Sequence, residues 1–108
     1  MTRRACRVDA NHAEVVNALR KVGCSVQDLS SVGDGCTDLA VGLEMFAFGR
    51  VIPFVTMMEI KDGEKIPSKR KLKPRQQKWH DEWKGHKCVV ESVSDALAIV
   101  AAIKRGEL

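Results

Sequence analysis

The chain has 108 residues, of which 44% are hydrophobic and 30% charged, and this composition fits one compact domain over residues 1–108 rather than a disordered segment. The formal net charge is +4, but residues 61–78 hold eight basic and two acidic side chains, so the rest of the chain is slightly acidic. One basic segment on a near-neutral body indicates either contact with a polyanion such as nucleic acid or a solvated, mobile loop.

The first predicted element is a helix. Apolar residues recur at helical spacing over residues 9–23. Asn11 followed by Glu14 matches a capping box, and Gly23 suits the end of the helix. Glu14 therefore has a structural role that needs no chemistry, and Asp9 is likewise better interpreted as a helix cap than as a site residue.

Three strands are predicted next, over residues 25–29, 37–42 and 51–61. Residues 30–35 form the loop between the first two, and residues 48–50 turn the chain into the third and longest strand. Pro53 should lie near the start of that strand or at a sheet edge, because proline cannot donate a ladder hydrogen bond. Asp62 and Gly63 form a turn signal at its end.

The basic segment is predicted to be a mobile loop as far as Lys73, because Pro67 and Ser68 interrupt helix there and like charges repel one another. Pro74 suits the first position of a second helix, and Gly85 suits its end. One face of this helix carries four polar or aromatic side chains, which are Gln76, Trp79, His80 and Trp83.

The last two predicted elements are a short strand over residues 88–91 and a helix that either Ser92 or Ser94 caps. The complete order is αβββαβα. Alternation of helices and strands in this way predicts one layered α/β domain.

The residues that indicate chemistry lie at the end of the longest strand and just before it. Side chains two apart on a strand point the same way, so Glu59 and Lys61 share one sheet face while Ile60 points into the opposite layer. If the second and third strands pair, Asp38 can meet Glu59, and two close carboxylates repel unless a cation lies between them. A hard divalent ion with oxygen ligands, Mg²⁺ or Mn²⁺, suits such a site.

Each of these residues also has an ordinary structural interpretation. A Glu-x-Lys on a strand is commonly a surface ion pair, and an aspartate that opens a strand is commonly a turn residue. The functional interpretation depends on the order of the features: a glycine-rich loop, Asp38, the long strand with Glu59 and Lys61, the basic segment, and a helix that carries Gln76.

That order resembles the PD-(D/E)XK nuclease superfamily. Residues 33–42 (GDGCTDLAVG) and 58–61 (MEIK) carry the general resemblance, and residues 67–80 (PSKRKLKPRQQKWH) make it more specific. Together they are similar to the virus-type replication-repair nuclease (VRR-NUC) domain in its small stand-alone, phage-like form. The similarity extends over residues 9–97, and Thr37 stands where the superfamily pattern has proline.

The resemblance implies a three-layer α/β/α restriction-endonuclease-like fold around a central mixed sheet. It also implies hydrolysis of phosphodiester bonds with Mg²⁺ or Mn²⁺, which leaves 5′-phosphate and 3′-hydroxyl ends. Relatives include Holliday-junction-resolvase-like enzymes, so we expect a structure-selective DNA endonuclease that acts on branched or junction DNA. One small domain has one active site, and symmetric cutting of a junction needs two, so a two-fold homodimer is expected.

The resemblance also assigns roles to individual residues. Asp38 and Glu59 become metal ligands, and the carbonyl group of Ile60 becomes a backbone ligand. Lys61 orients or activates the attacking water and steadies developing charge. Gln76 corresponds to the family's helix glutamine near the scissile phosphate.

Other residues have less specific roles. Glu14 matches a glutamate that often completes the metal site in resolvase-like members, and the capping box accounts for it equally well. His80 could touch phosphate, although a packed or exposed helix histidine is favoured, and Trp79 and Trp83 could stack on bases, although core or dimer packing is favoured. Six basic side chains are expected to contact DNA phosphates rather than to read bases, namely Lys65, Lys69, Arg70, Lys71, Lys73 and Arg75.

Two other functions fit parts of the pattern. A nucleic-acid-binding module that keeps the fold without catalysis would not need its site residues intact, and a structural or adaptor protein would have no divalent-ion site. Four cysteines without C-x-x-C spacing are expected to be free thiols. With no export signal and no membrane-spanning apolar run, the expected location is the cytoplasm, that of the bacterial host if the protein is phage-encoded.

Overall fold

The computed structural model describes residues 10–108, which form a mixed α/β fold with one four-stranded sheet. The elements in chain order are α1 (His12–Lys21), β1 (Ser25–Asp28), β2 (Leu39–Ala47), β3 (Arg50–Ile60), α2 (Pro67–Arg70), α3 (Pro74–Glu82), β4 (Lys87–Val90) and α4 (Val93–Lys104). The strands lie in the order β1-β2-β3-β4, and the pairs are antiparallel except for the parallel pair of β3 and β4. The predicted mixed sheet is confirmed, and the predicted element order is correct apart from the additional short helix α2.

Helices α1 and α4 pack against one face of the sheet and enclose the core. Because side chains alternate along a strand, Leu39 and Val41 of β2 point to this face, where they lie opposite Met58 and Thr56 of β3. Ile60 belongs to the same buried cluster. The helices complete the core with Val15, Leu19, Ala96, Val100 and Ile103.

The β2–β3 hairpin is longer than the sequence pattern predicts. The predicted strand ends at Gly42, whereas β2 continues to Ala47, because this glycine pairs within the ladder instead of ending it. Phe48 and Gly49 form the two-residue turn with positive φ values of 54° and 72°, as a type I′ turn requires. Pro53 lies where β3 is paired with β2 but not with β4, which confirms its predicted edge-like position.

The basic segment contains a helix that the sequence did not predict. α2 begins at Pro67, and proline is favoured at the first helical position because the N–H group there has no partner within the helix. The helix ends at Arg70, whose Nη1 donates to Glu91 Oε1 at 2.9 Å, just after β4. The segment is therefore anchored to the sheet, and the prediction of loop as far as residue 73 is wrong.

The caps of α1 and α4 differ in how well the sequence predicts them. At α4, the Ser92 hydroxyl accepts a hydrogen bond from the Asp95 N–H at 3.0 Å, which decides between Ser92 and Ser94. At α1, no side chain caps the helix, so the predicted capping box of Asn11 and Glu14 is wrong. The Asn11 side chain is used elsewhere, at the end of β3.

Residues 1–9 lie outside the described part of the chain, and with them Asp9 and Cys6. Within residues 10–108, Cys24, Cys36 and Cys88 are free thiols, as predicted. No helix in this range is long and apolar enough to cross a membrane.

Candidate active site

Glu59 lies at the end of β3 and Lys61 directly after it, both on the sheet face opposite α1 and α4. Ile60 between them is buried in the core, as strand alternation predicts. Both charged side chains are buried, with 1% of Glu59 and 5% of Lys61 exposed, and Lys61 Nζ lies 3.8 Å from Glu59 Oε2. The pair is therefore not the surface ion pair that a Glu-x-Lys on a strand commonly forms.

Asp38 precedes β2 and contacts the end of β3. Leu39 pairs with Met58, so continuing the antiparallel register by one residue brings Asp38 opposite Glu59. Asp38 Oδ2 accepts a hydrogen bond from the Ile60 N–H at 2.8 Å. This bond fixes one carboxylate oxygen on the backbone of β3, and the predicted pairing of the two strands is confirmed.

The side-chain amide of Gln76 links the buried pair. Its Nε2 donates to Glu59 Oε2 at 3.1 Å, and its Oε1 accepts from Lys61 Nζ at 2.8 Å. Oε1 also accepts from the Lys73 N–H at 2.9 Å, which fixes the amide in the first turn of α3. Buried charges are costly unless they are paired and hydrogen-bonded, so Gln76 offsets part of the desolvation of both groups.

The glycine-rich loop before Asp38 holds α3 in place. Gly35 has a φ of 77°, and a Cβ at this position would overlap the carbonyl group of Arg75, so only glycine lets the loop touch the start of the helix. α3 begins at Pro74 as predicted, but it ends at Glu82, earlier than the sequence predicts. The close packing of loop and helix places Gln76 within reach of β3.

The thiol of Cys36 lies beside the carboxylates. Burial raises the pKa of this thiol, and the negative charges of Glu59 and Asp38 raise it further. Without a bound cation, the thiol is therefore protonated at neutral pH. The carboxylates of Asp38 and Glu59 bring oxygen atoms to this end of the sheet.

His80 is a second residue of α3 that approaches Glu59. It is 5% exposed, and its Nε2 lies 4.0 Å from Glu59 Oε1. Burial lowers the pKa of the imidazole, and the charge of Lys87 lowers it further, so the ring is neutral near pH 7. The four-residue spacing from Gln76 places His80 on the same face of the helix. The sequence does not indicate that His80 approaches Glu59.

Asn11 holds the backbone of the site, a role that no sequence pattern indicates. Its Nδ2 donates to the carbonyl groups of Lys61 and Glu91, both at 3.2 Å. The Lys61 N–H donates in turn to the Val90 carbonyl at 2.8 Å. The start of α1, the end of β3 and the end of β4 therefore meet at the backbone of Lys61.

The basic side chains that are predicted to contact DNA differ in their exposure. Arg70 is half-buried and paired with Glu91, and Arg75 lies 3.5 Å from Asp34 at the surface. The other members of the set have exposed side chains, and they are Lys65, Lys69, Lys71 and Lys73. Together with Arg75, whose side chain is 80% exposed, these lysines can be reached by solvent or by a polyanion.

The oxygen atoms at the site suit a hard divalent ion that takes few protein ligands. Within residues 10–108, no three His, Cys, Asp or Glu side chains are arranged to hold a metal, and Glu14 is exposed on α1. The carboxylates of Asp38 and Glu59 and the carbonyl of Ile60 are the oxygen atoms that could hold such an ion. Mg²⁺ is commonly bound in this way, because it keeps several waters and uses one or two carboxylates. Glu14 as a third ligand stays a prediction.

Of the remaining aromatic and histidine side chains, Trp79 contacts the ring of His80, with ring centroids 5.3 Å apart. Trp79 and Trp83 stack on each other with ring centroids 4.9 Å apart, and Trp83 is exposed, so the pair lies at the surface of α3. His86 contacts the Thr56 hydroxyl at 2.7 Å, and His12 Nε2 lies 3.2 Å from the carboxylate of Asp28; neither partner is indicated by sequence.

The chain matches no protein-family model, no curated protein and no solved structure. The resemblance to PD-(D/E)XK nucleases is therefore an expectation from the residues themselves.

Proposed function

We propose that this chain is a metal-dependent endonuclease that hydrolyses phosphodiester bonds in DNA. The observation that carries the proposal is the buried Glu59–Lys61 pair, which Gln76 joins and which Asp38 faces from the neighbouring strand. Replacing buried charges with apolar side chains of similar volume often stabilises a protein. A cluster that keeps charges at such a position is therefore a good candidate for a functional site.

The proposed chemistry divides among four side chains and one backbone carbonyl group. Asp38 and Glu59 would hold Mg²⁺ or Mn²⁺ together with the carbonyl group of Ile60. When bound, such an ion polarises the phosphate and lowers the pKa of its water. Lys61 donates to the attacking water or to a phosphate oxygen, and its charge stabilises the negative charge that develops. Gln76 keeps Lys61 and Glu59 in position for this step.

The proposal assigns the fold to the three-layer α/β/α restriction-endonuclease-like class. Two features support this: α1 and α4 cover one face of the sheet, and α3 approaches the opposite face at Glu59. The segments that carry the resemblance to VRR-NUC domains are residues 33–42, 58–61 and 67–80. They meet around Glu59, which is what a shared active site requires.

Branched DNA is the proposed substrate, and a two-fold homodimer is the proposed assembly. Each chain supplies one site, and symmetric cutting of a junction needs two. The outer face of the β2–β3 hairpin offers apolar area for a subunit contact, because Phe46, Val51 and Val55 are each more than half exposed. The free thiols of the described cysteines fit a reducing cytoplasm, that of the bacterial host if the protein is phage-encoded.

The function is tested by cleavage of single-stranded, duplex, flap and four-way-junction DNA, with each strand labelled in turn. We expect cleavage with Mg²⁺ or Mn²⁺ and none with EDTA, with branched substrates preferred and paired cuts in the junction. Folded protein that binds these DNAs but cuts none of them would favour the second candidate, a catalytically inactive nucleic-acid-binding module on the same fold.

The exposed lysines of the basic segment should make DNA binding strongly salt-dependent. If about five phosphates are neutralised, log K should fall with log salt with a slope of roughly −4 to −5. The double variant Lys69→Ala, Lys71→Ala is expected to flatten the slope by up to about 2 units and to weaken all DNA sequences alike. Arg70 is left unchanged because its pairing with Glu91 anchors α2.

The measurement is a salt titration of binding to junction and duplex DNA with a catalytically inactive background. The matched control is Lys21→Ala, Arg50→Ala, which removes the same charge from exposed positions of α1 and of the β3 start. The control should keep the wild-type slope, and junction preference should survive in both variants. Equal slopes in the two variants would show that the basic segment does not meet the phosphate backbone.

A further inference from the structure

α3 presents two side chains to Glu59, one helical turn apart. Gln76 Nε2 donates to Oε2 of the carboxylate, and His80 Nε2 lies 4.0 Å from Oε1. Residues four apart lie on the same face of a helix, so one helix approaches both oxygens. The proposed function uses Glu59 as a metal ligand and gives His80 no role.

His80 is part of the buried site rather than an exposed neighbour of it. Its side chain is 5% exposed, and its buried Nε2 has no hydrogen-bond partner among residues 10–108. A buried polar nitrogen without a hydrogen bond is costly, so such an atom needs a physical reason. Glu59 Oε1 offers one, because it lies 4.0 Å from this nitrogen and contacts at catalytic sites are often long before the ligands are bound.

A contact at Oε1 would help to fix the orientation of the Glu59 carboxylate. The bond from Gln76 acts on Oε2, and a bond from His80 would act on the other oxygen, so the two together would restrict rotation of the carboxylate plane. Carboxylates that ligate metals are commonly oriented by such hydrogen bonds, and loss of the outer partner typically weakens metal binding.

We propose that His80 is a positioning residue whose Nε2–H group donates to Glu59 Oε1 and, with Gln76, orients the carboxylate toward a divalent ion. The inference rests on the proposed function, since it presumes that Glu59 is a ligand. A packing role for His80 would depend only on the volume of the ring. A direct contact of His80 with DNA would change DNA affinity rather than metal affinity.

The test compares His80→Gln, His80→Asn and His80→Leu. Glutamine places an N–H donor near the position of Nε2, asparagine places one near Nδ1 and falls short of Glu59, and leucine retains volume without a donor. The control is His86→Asn, a change at a half-buried histidine that contacts Thr56 instead of Glu59. The readouts are the Kd for Mn²⁺ by calorimetry, the Mn²⁺ concentration that half-saturates cleavage, and thermal unfolding in EDTA.

We expect His80→Asn and His80→Leu to weaken Mn²⁺ binding by about 10- to 100-fold, with a matching rise in the half-saturating concentration and little change in DNA affinity. His80→Gln should stay close to wild type, and so should the Mn²⁺ affinity of His86→Asn. Wild-type Mn²⁺ affinity in His80→Asn would overturn the proposal, and so would equal losses in His80→Asn and His80→Gln. If His80→Leu fails to fold, the two polar variants still decide the matter.

A metal-free measurement separates this inference from the proposed function. A double-mutant cycle of His80→Asn with Glu59→Met, which removes the acceptor and keeps a side chain of similar length, should show coupling of about twofold or more in the unfolding equilibrium constant in EDTA. Absence of coupling would overturn the contact between His80 and Glu59. If wild-type protein binds no Mn²⁺ but the coupling is present, the contact stands as a structural one, and both the proposed function and the positioning role fail.

Discussion

Glu59→Gln and Asp38→Asn are each expected to reduce cleavage by about a thousandfold or more, because each weakens binding of an ion that contributes several kcal/mol to transition-state stabilisation. Both substitutions keep the shape of the side chain and remove its charge. Asp38→Asn retains an oxygen that can accept the Ile60 N–H bond, so its backbone contact should survive. Loss of activity would therefore come from the lost ligand charge rather than from misfolding.

The two variants should differ in stability, which the sequence alone does not indicate. From the sequence, removing either carboxylate is expected to relieve repulsion. In the structure, Glu59 is the counter-charge of Lys61, which is 5% exposed, so Glu59→Gln should lower the free energy of unfolding in EDTA by about 1–3 kcal/mol. Asp38→Asn removes a negative charge near Glu59, and Lys61 keeps Glu59 as its counter-charge. The stability of this variant in EDTA should therefore equal or exceed that of wild type.

The measurements are Mn²⁺ calorimetry, single-turnover cleavage and thermal unfolding in EDTA. Glu44→Gln is the matched control, because it makes the same chemical change at an exposed position of β2. Glu44→Gln should retain Mn²⁺ binding and cleavage. Wild-type cleavage by either Glu59→Gln or Asp38→Asn would end the assignment of the active site.

Lys61→Met is expected to reduce the cleavage rate by about 10²- to 10³-fold, because the ammonium group stabilises negative charge that develops during the reaction. Mn²⁺ and DNA should still bind. Methionine retains much of the buried stem of the lysine, so the packing at the end of β3 is disturbed little. Gln76 loses one partner at Oε1 but keeps its bond from the Lys73 N–H. The amide should therefore stay in the first turn of α3.

The test for Lys61 sets single-turnover rates beside titrations of DNA and Mn²⁺ binding. Lys84→Met, at an exposed lysine after α3, is the control and should keep the wild-type rate. If DNA binding by Lys61→Met falls as much as the rate, Lys61 is an electrostatic anchor for the backbone and takes no part in the chemical step.

The sequence by itself determined the features that depend on neighbours in the chain. The two-residue period of a strand placed Glu59 and Lys61 on one face and Ile60 on the other. Proline at the start of α3 and a serine before α4 located two helix starts. The sequence predicts these features correctly because each depends on interactions between neighbouring residues, namely a dihedral preference, a helix cap or the alternation of side chains along a strand.

Local signals also failed where two local rules compete. Pro67 both interrupts a helix and favours the first position of one, and the contact of Arg70 with Glu91, 21 residues away, helps to hold α2 in place. Asn11 can cap a helix, but its amide reaches the backbone of Lys61 instead. In both cases a partner from another element decided between conformations that the sequence left open.

Only the tertiary structure decided that the candidate site is buried and which side chains complete it. Whether a Glu-x-Lys is a surface pair or an enclosed one depends on what covers that face of the sheet, and here α3 brings Gln76 and His80 to Glu59. That docking in turn requires Gly35 to touch the start of the helix. These contacts join residues that are far apart in the chain, so their free energy comes from strand register and helix packing, which no local pattern in the sequence contains.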